Sequence, residues 1–492
     1  MNYKMVLSVL GRTMLIEAAL LLAPMAVGFC YGEQTADAYF YLAYLIPIAV
    51  LTVLGVPLSL IRSKDRNIYA KEGFVIVALS WIILSLVGAL PFVISGEIPS
   101  YVDALFETAS GFTTTGASII DKPAETGLLL SRSAMFWRVL THFIGGMGVL
   151  VFVLALIPSG NSGIMHIFRA ESPGPDSSKI VGRIKYTARI LYGIYVALAA
   201  LEAILLIICG MDVYDAVLSS FSTAGTGGFG LYNGSIAAYA NPSYEIVIAV
   251  FMFLFGINFN LYYLILTGNI LKAIRSEEFI VYVSIILFAT ITISVSILSL
   301  CANFGEALRL SFFQVASISS TTGFTTADFD TWPTLAKGIL LMITVVGASG
   351  GSTGGGMKVA RLCILFKSVI ARVKRLIKPR SVVTVKFEGK PLANDVETNV
   401  VTYFILYIGI VCLVTLLLSF DGFAAGDPFT HLSATLSCIS NVGPGFNMVG
   451  PTCSFAGYSV FSKLLLSMVM IAGRLEIFPI IILFAPHTWK RG

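Results

Sequence analysis

From residue 38 to residue 61 the chain reads AYFYLAYLIPIAVLTVLGVPLSLI, without one charged side chain. A helix needs about 20 apolar residues to cross the hydrocarbon core of a bilayer, and a soluble fold has nowhere to hide many such runs. This run has company: apolar stretches of comparable length lie near 8–30, 73–95, 133–158, 188–210, 243–271, 279–301, 335–367, 399–420 and 457–485. Only 12% of the 492 residues are charged and 57% are hydrophobic, where soluble domains carry about 25% charge. The sequence is that of an all-α polytopic membrane protein. Arg12 and Glu17 interrupt the first run and no small-residue cleavage site follows, so a retained membrane helix is expected there rather than a signal peptide.

Positive charge is gathered in five clusters, Arg62–Lys71, Arg169–Arg189, Lys272–Arg275, Lys358–Lys390 and Lys490–Arg491. By the positive-inside rule all five face the cytoplasm. Ten full crossings put both termini on that same side, as expected of a multi-pass protein of the cell (inner) membrane. No aromatic residues interleave the basic clusters as base stacking requires, so no nucleic-acid partner is expected. The seven cysteines show no CxxC spacing, and His142, His166, His431 and His487 do not cluster, so neither a zinc site nor a disulfide framework is indicated.

After two opening helices the chain repeats one order four times: long apolar run, short amphipathic run, glycine- and hydroxyl-rich stretch, long apolar run. The expected units are residues 1–70 (helix pair and basic loop), 71–185, 186–276, 277–392 and 393–492 (four repeats). The short runs YVDALFETA, VYDAVLSSF, GEALRLSFFQVA and DPFTHLSATL cannot span. Each has an acid near its start, which suits a helix N-terminus, so each reads as a half-helix dipping in from outside with its C-terminal end at mid-membrane. The stretches that follow are SGFTTTG, STAGTGG, SISSTTG and SCISNVG, which align on Gly116, Gly228, Gly323 and Gly443 with a serine six positions earlier in each. Non-helical backbone at membrane depth survives only when buried in protein or lining a polar cavity. Four such loops around one axis would offer a ring of carbonyl oxygens able to replace a cation's hydration shell, as in a potassium-channel filter. The candidate filter residues are Thr113, Thr114, Thr115 and Gly116; Gly225, Thr226, Gly227 and Gly228; Ser320, Thr321, Thr322 and Gly323; Ser440, Asn441, Val442 and Gly443.

With these loops, WRVLTHFIGGMG at 137–148, GASGGSTGGGMKVAR at 347–361 and AGRLEIFP at 472–479, the chain resembles the Trk/Ktr/HKT superfamily of cation transporters, and within it the TrkH-type potassium uptake subunits. The resemblance implies two N-terminal transmembrane helices plus four pseudo-symmetric helix–pore helix–filter–helix repeats around one central pore. It also implies K⁺ as the transported ion, a homodimer, and a cytoplasmic nucleotide-binding regulatory subunit of TrkA type. Sodium-preferring relatives carry serine at the position of Gly116, so glycine here favours potassium. The fourth loop departs from the pattern, with Asn441 where the others have Thr114, Thr226 and Thr321, and a weaker discrimination against sodium is expected from it.

The stretch GASGGSTGGGMK interrupts the run near 335–367. Glycine costs about 1 kcal/mol relative to alanine in a helix interior, so the helix should break there and line a cavity. The stretch fails the phosphate-loop pattern, because Lys358 is preceded by Met357 and followed by Val359. Gly350, Gly351, Ser352, Thr353, Gly354, Gly355 and Gly356 are therefore the expected intramembrane plug, a role the resemblance supports. Arg474 lies deep in an apolar segment, where a charge costs about 2.5–3.5 kcal/mol and marks a function. It is expected below the filter, near the glycine loop, as a barrier to cations, with an interhelical salt bridge as the structural alternative. Glu476, two residues on, does not share its helix face. Glu17 and Glu202 also lie within spans, and the sequence leaves open whether protons are coupled. Lys358–Lys390 is the expected docking surface for an acidic regulatory partner. No organic cofactor is called for, and no nucleophile, metal cluster or acid–base pair suggests an enzyme. The competing transport reading is a proton- or sodium-coupled secondary transporter with alternating access. Such proteins usually combine inverted repeats with half-helix N-termini facing an anionic substrate.

Overall fold

The computed structural model describes residues 1–33, 39–61, 70–121, 127–148, 184–379 and 383–489. The basic clusters at 62–69, 169–183 and 490–491, and the second half of the run near 133–158, lie outside the described residues.

Two helices, α1 (Tyr3–Leu20) and α2 (Leu22–Cys30), continue one another, and α3 (Phe40–Leu60) follows. The first repeat comprises α4 (Ala70–Gly88), α5 (Leu90–Ile94), α6 (Tyr101–Phe112) and α7 (Arg132–Gly146). The second comprises α8 (Ile184–Ile208), α9 (Val213–Gly225), α10 (Pro242–Phe255) and α11 (Phe259–Leu266), with a short α12 (Ile270–Ile274) behind it. The third holds α13 (Glu277–Ser296), α14 (Phe304–Ser319), α15 (Thr334–Val346) and α16 (Val359–Ile377). The fourth holds α17 (Asn394–Leu418), α18 (Pro428–Ser440), α19 (Val460–Arg474), α20 (Phe478–Phe484) and α21 (Pro486–Trp489).

Among the described residues, six stretches are continuous, long and apolar enough to span: Tyr3–Cys30, Phe40–Leu60, Lys71–Ile94, Ala188–Ile208, Glu277–Ser296 and Asp395–Leu418. Ten full crossings were expected from hydropathy; among the described residues the second helices of the second, third and fourth repeats are broken. The pair α10/α11 bends by 89°, α19/α20 by 119°, and residues 347–358 separate α15 from α16. Only the third break was expected. The second repeat breaks at Gly256–Asn258, where Asn258 caps α11 by accepting from Asn260 N. The fourth breaks where Glu476 and Ile477 adopt φ of 59° and 69°, just before Pro479 in the first turn of α20. Asn258 at the second break and Glu476 at the fourth interrupt otherwise apolar runs, too little for hydropathy averaged over a span to show the bends.

The chain is mostly helical, as expected, with one small hairpin besides. After α16 a hairpin of β1 (Lys386–Phe387) and β2 (Lys390–Pro391) turns through Glu388 and Gly389, at φ of 50° and 72°. Two positive-φ residues match the twist of the flanking strands, the geometry of a type I′ turn.

The four repeats close around one axis, and their outer segments form a collar. Leu129 N donates to Leu231 O (3.0 Å), Ala237 N to Thr325 O (3.2 Å), Asn447 N to Asp330 Oδ2 (2.5 Å) and Phe455 N to Ser118 O (2.9 Å). These bonds join the first repeat to the second, second to third, third to fourth and fourth to first. At the opposite end Tyr3 Oη donates to Trp489 O (2.6 Å), Lys71 Nζ to His487 O (2.9 Å) and Asn2 N to Glu72 Oε1 (3.0 Å), so both chain ends meet at the start of α4.

Candidate functional site

The helices α6, α9, α14 and α18 are 12, 13, 16 and 13 residues long. At about 1.5 Å per residue that is roughly 18–24 Å, too short for a core about 30 Å thick. Their N-caps are Ser100, Asp212, Asn303 and Asp427, each accepting a backbone N–H with its side chain. Capping is thus shared between hydroxyl, amide and carboxylate, with Asp103, Asp215 and Glu306 in the first turns of α6, α9 and α14. Asp421, in the outer loop before α18, receives Ser459 N and Ser462 Oγ at the start of α19. Burial pushes its carboxyl up, but the hydroxyl and backbone donors outweigh that and hold it at about 2.

Each of these helices ends in the same way. Thr115 N, Gly227 N, Thr322 N and Val442 N donate to Ser110 O, Ser222 O, Ser317 O and Ser437 O at 2.8–3.0 Å. The serine noticed six positions before each glycine therefore supplies the carbonyl that closes the last, widened turn. The turn is possible because Thr114, Thr226, Thr321 and Asn441 are all left-handed, with φ of 54°, 54°, 61° and 56°. Gly116, Gly228, Gly323 and Gly443 follow at φ of 80°, 72°, 82° and 102°. Three threonines in a conformation that disfavours β-branched residues are each a local cost of order 1–3 kcal/mol, which the surrounding packing must over-determine. Asn441 is the residue best suited to it.

The four loops interlock in a closed ring. A Cβ on Gly116 would strike Gly227 O, one on Gly228 would strike Thr322 O, one on Gly323 would strike Val442 O, and one on Gly443 would come within 2.8 Å of Thr115 O. Each glycine is therefore backed by the carbonyl preceding the equivalent glycine of the next repeat, and only hydrogen fits between them. All sixteen residues from 113–116, 225–228, 320–323 and 440–443 are uncharged. Hydroxyl pairs brace two of the loops, Thr113 Oγ1 with Thr115 Oγ1 and Ser320 Oγ with Thr322 Oγ1, each at 2.7 Å. In the second loop Gly225 and Gly227 replace the pair, and the His142 ring occupies the space a Gly227 side chain would need. Asn441 Nδ2 donates to Thr115 Oγ1 and to Met470 O, both at 2.9 Å. Its amide is thus tied to the first loop and to α19.

The glycine-rich stretch lies directly against two of these loops. Gly355 N donates to Thr321 Oγ1 at 2.6 Å, and Cβ atoms on Gly354 and Gly355 would clash with Ser320 O and Ser440 O. The break in the second repeat grips the same stretch: Ser349 N donates to Gly256 O (3.1 Å), Thr353 Oγ1 to Phe255 O (3.3 Å), and Phe259 N to Gly351 O (3.0 Å). Gly350 N donates to Glu278 Oε1 at 2.5 Å. Lys358, which fails the phosphate-loop pattern, is buried with φ of 76° and donates to Gly354 O.

Arg474 donates to Thr353 O at 2.7 Å, and to Gly145 O and Gly146 O at 2.5 and 2.6 Å. It joins the glycine stretch to the end of α7. Glu476 pairs instead with Arg361 of α16, whose guanidinium lies over Tyr403. The two charges of AGRLEIFP thus find separate neighbours, as their spacing required.

A model of the TrkH family, described as cation transport protein, matches residues 43–491. The chain belongs to the TrkH family. It is 33% identical over 499 residues to the Trk system potassium uptake protein TrkH of Escherichia coli (strain K12), covering 100% of both chains. It is 31% identical over 475 residues to the Trk system potassium uptake protein TrkG of the same organism, covering 96% of this chain and 95% of that one. The crystal structure of the potassium transporter TrkH from Vibrio parahaemolyticus superposes with a TM-score of 0.86 at 30% identity, covering 100% of both chains. The family is one of multi-pass membrane transporters and not of enzymes.

One constellation escaped the sequence reading. Arg138 of α7 and Glu107 of α6 form a buried ion pair at 2.7 Å, with side chains 2% and 0% exposed. Glu107 also accepts from Ser118 Oγ (3.0 Å) and Ile119 N (2.9 Å), just past Gly116. Arg138 donates to Gly230 O at 3.0 Å and lies over the Phe229 ring, just past Gly228. The pair therefore fastens the first loop to the second. Arg138 stands in the quoted motif WRVLTHFIGGMG; its partner sits in YVDALFETA, and only the fold joins them. Glu17 and Glu202 are fully buried in α1 and α8.

Proposed function

We propose that this chain takes up potassium ions across the cytoplasmic membrane by channel-like permeation, with the four loops as its selectivity filter. The observation that carries the reading is the closed ring of Gly116, Gly228, Gly323 and Gly443, each against a carbonyl of the next repeat. Uncharged loops with strained, fixed backbone suit a cation that sheds its water onto oxygen dipoles, and the C-terminal ends of four half-helices add partial negative charge. The glycine stretch, residues 350–356, is the gate: it lies against two filter loops and is held through Arg474, whose positive charge opposes cation passage. The curated relatives are named as potassium uptake proteins. By the same family likeness the working unit is a homodimer, and a nucleotide-binding regulatory subunit of TrkA type acts on the basic cytoplasmic surface. Both termini are cytoplasmic.

The test is uptake of rubidium and sodium tracers into proteoliposomes, for the parent and for Gly116→Ser. Rapid downhill rubidium entry is expected, shifting toward sodium in the variant by about tenfold or more in ratio, because a Cβ at φ of 80° displaces the Gly227 carbonyl. If no downhill flux occurs with the regulatory subunit present, or the ratio is unmoved, the filter assignment fails and coupled alternating access replaces it.

A further inference from the structure

The hairpin β1–β2 supplies α13 with something its own sequence lacks. Ser276 stands at the N-cap of α13 yet makes no side-chain cap bond there. Its hydroxyl donates instead to Glu388 Oε1 in the hairpin turn at 2.8 Å, and that same oxygen accepts Glu278 N at 3.2 Å. Glu388 therefore caps α13 from a distant part of the chain, with its carboxylate against free N–H groups and the positive end of the helix dipole. In return Glu388 N donates to Glu277 Oε2 at 3.2 Å. A second tie comes from Lys367 of α16, which pairs with Glu277 and donates to Lys386 O at 2.9 Å.

Glu278 carries the connection inward. It is 5% exposed, and its carboxylate accepts Gly350 N at 2.5 Å and Asn258 Nδ2 at 3.3 Å. One residue of α13 thus has its backbone held by the hairpin and its side chain holding the glycine stretch. The far end of that stretch leads directly into α16, which Lys367 fastens to the same hairpin.

The geometry points to Glu278 as the residue that positions the glycine stretch, and to the hairpin as a latch that sets Glu278 through Glu388. This rests on the reading of residues 350–356 as the gate. Lys386 and Lys390 are exposed on the hairpin, so an acidic cytoplasmic surface can draw it away from α13. The cap is then lost, Glu278 is no longer held at its backbone, and Gly350 loses its acceptor.

The latch is tested by resting rubidium influx into proteoliposomes of the full chain, without any partner protein. Glu278→Ala is expected to raise influx about tenfold, the scale of losing a hydrogen bond to a charged group, with the rubidium-to-sodium ratio unchanged. Glu278→Gln keeps an oxygen for Gly350 N and should stay within about twofold of the parent. Glu388→Ala should raise influx about threefold, and the double variant Glu278→Ala/Glu388→Ala should add nothing to Glu278→Ala, since the two act in series. Arg474→Gln serves as the control for the gate itself. If it raises influx while Glu278→Ala and Glu388→Ala do not, or if their effects add, the latch is overturned and the gate stands. If Arg474→Gln also leaves influx unchanged, the gate reading falls and the latch with it. Should Glu278→Ala fail to fold, Glu388→Ala on the surface hairpin decides alone, and influx equal to the parent's overturns the proposal.

Discussion

At Arg138 a guanidinium and a carboxylate are buried together where neither is individually affordable. The pair at 2.7 Å is completed by Ser118, Ile119 and Gly230, so every strong group has a partner. Such pairs add little net stability against apolar replacements of similar volume, but removing one member strands the other. Glu107→Gln should therefore destabilise the protein by about 3–5 kcal/mol, whereas Glu107→Leu/Arg138→Met should recover most of that loss. Thermal unfolding in detergent checks both. Selectivity supplies the second readout. The double variant no longer ties Ser118 to Gly230, so its rubidium-to-sodium ratio should fall even where its stability is restored. A ratio equal to the parent's would make the pair a scaffold device with no hold on the loops.

Among the elements, legibility in the sequence followed the strength of the local signal. The half-helices and their loops could be read because four copies repeat a serine and a glycine at fixed spacing, and the backbone of each copy answers with the same left-handed residue between them. The broken second helices of the second and fourth repeats could not, whereas the third could, because glycines crowd together there. At Gly256–Asn258 and at Leu475–Ile477 a single polar residue interrupts an otherwise apolar run, too little to mark a break, and the bend shows only in the Asn258 cap and the positive φ of Glu476 and Ile477. Arg474 was legible as a charge in the wrong solvent, but its partners are carbonyls that any residue carries, so sequence could not name them. Its three bonds join α19 to both the glycine stretch and α7. Arg474→Gln can keep only part of that fork, and on the proposed gate reading it also removes a positive charge that opposes cations. Resting rubidium influx should rise about tenfold or more, with Arg474→Lys intermediate because its ammonium cannot reach three carbonyls in fixed directions. Equal influx in Arg474→Lys and Arg474→Gln would assign the effect to geometry rather than charge.

For the whole molecule the question is which way the closed ring faces. The outer collar joins 129 to 231, 237 to 325, 447 to 330 and 455 to 118, all within the segments that leave the loops. The opposite end gathers residues 2–3, 71–72 and 487–489, with the basic cluster of 62–71 ending there. Positive charge is retained on the cytoplasmic side, so the proposed orientation puts the gathered termini in the cytoplasm and the collar outside. An even number of crossings then follows from the shared position of the two ends, however many of the second helices are bent. Native Cys453 makes the orientation measurable, since it is free, exposed and set in the collar between Gly450 and α19. A membrane-impermeant maleimide added to intact cells, or to spheroplasts where an outer membrane blocks access, should label Cys453 in a background whose other cysteines are replaced by serine. A cysteine introduced by Lys390→Cys, in a chain lacking Cys453, should react only after the membrane is opened. Labelling in the reverse order would turn the molecule over and put the hairpin outside. The basic surface would then face away from any cytoplasmic regulator, and neither the latch nor its acidic partner could operate.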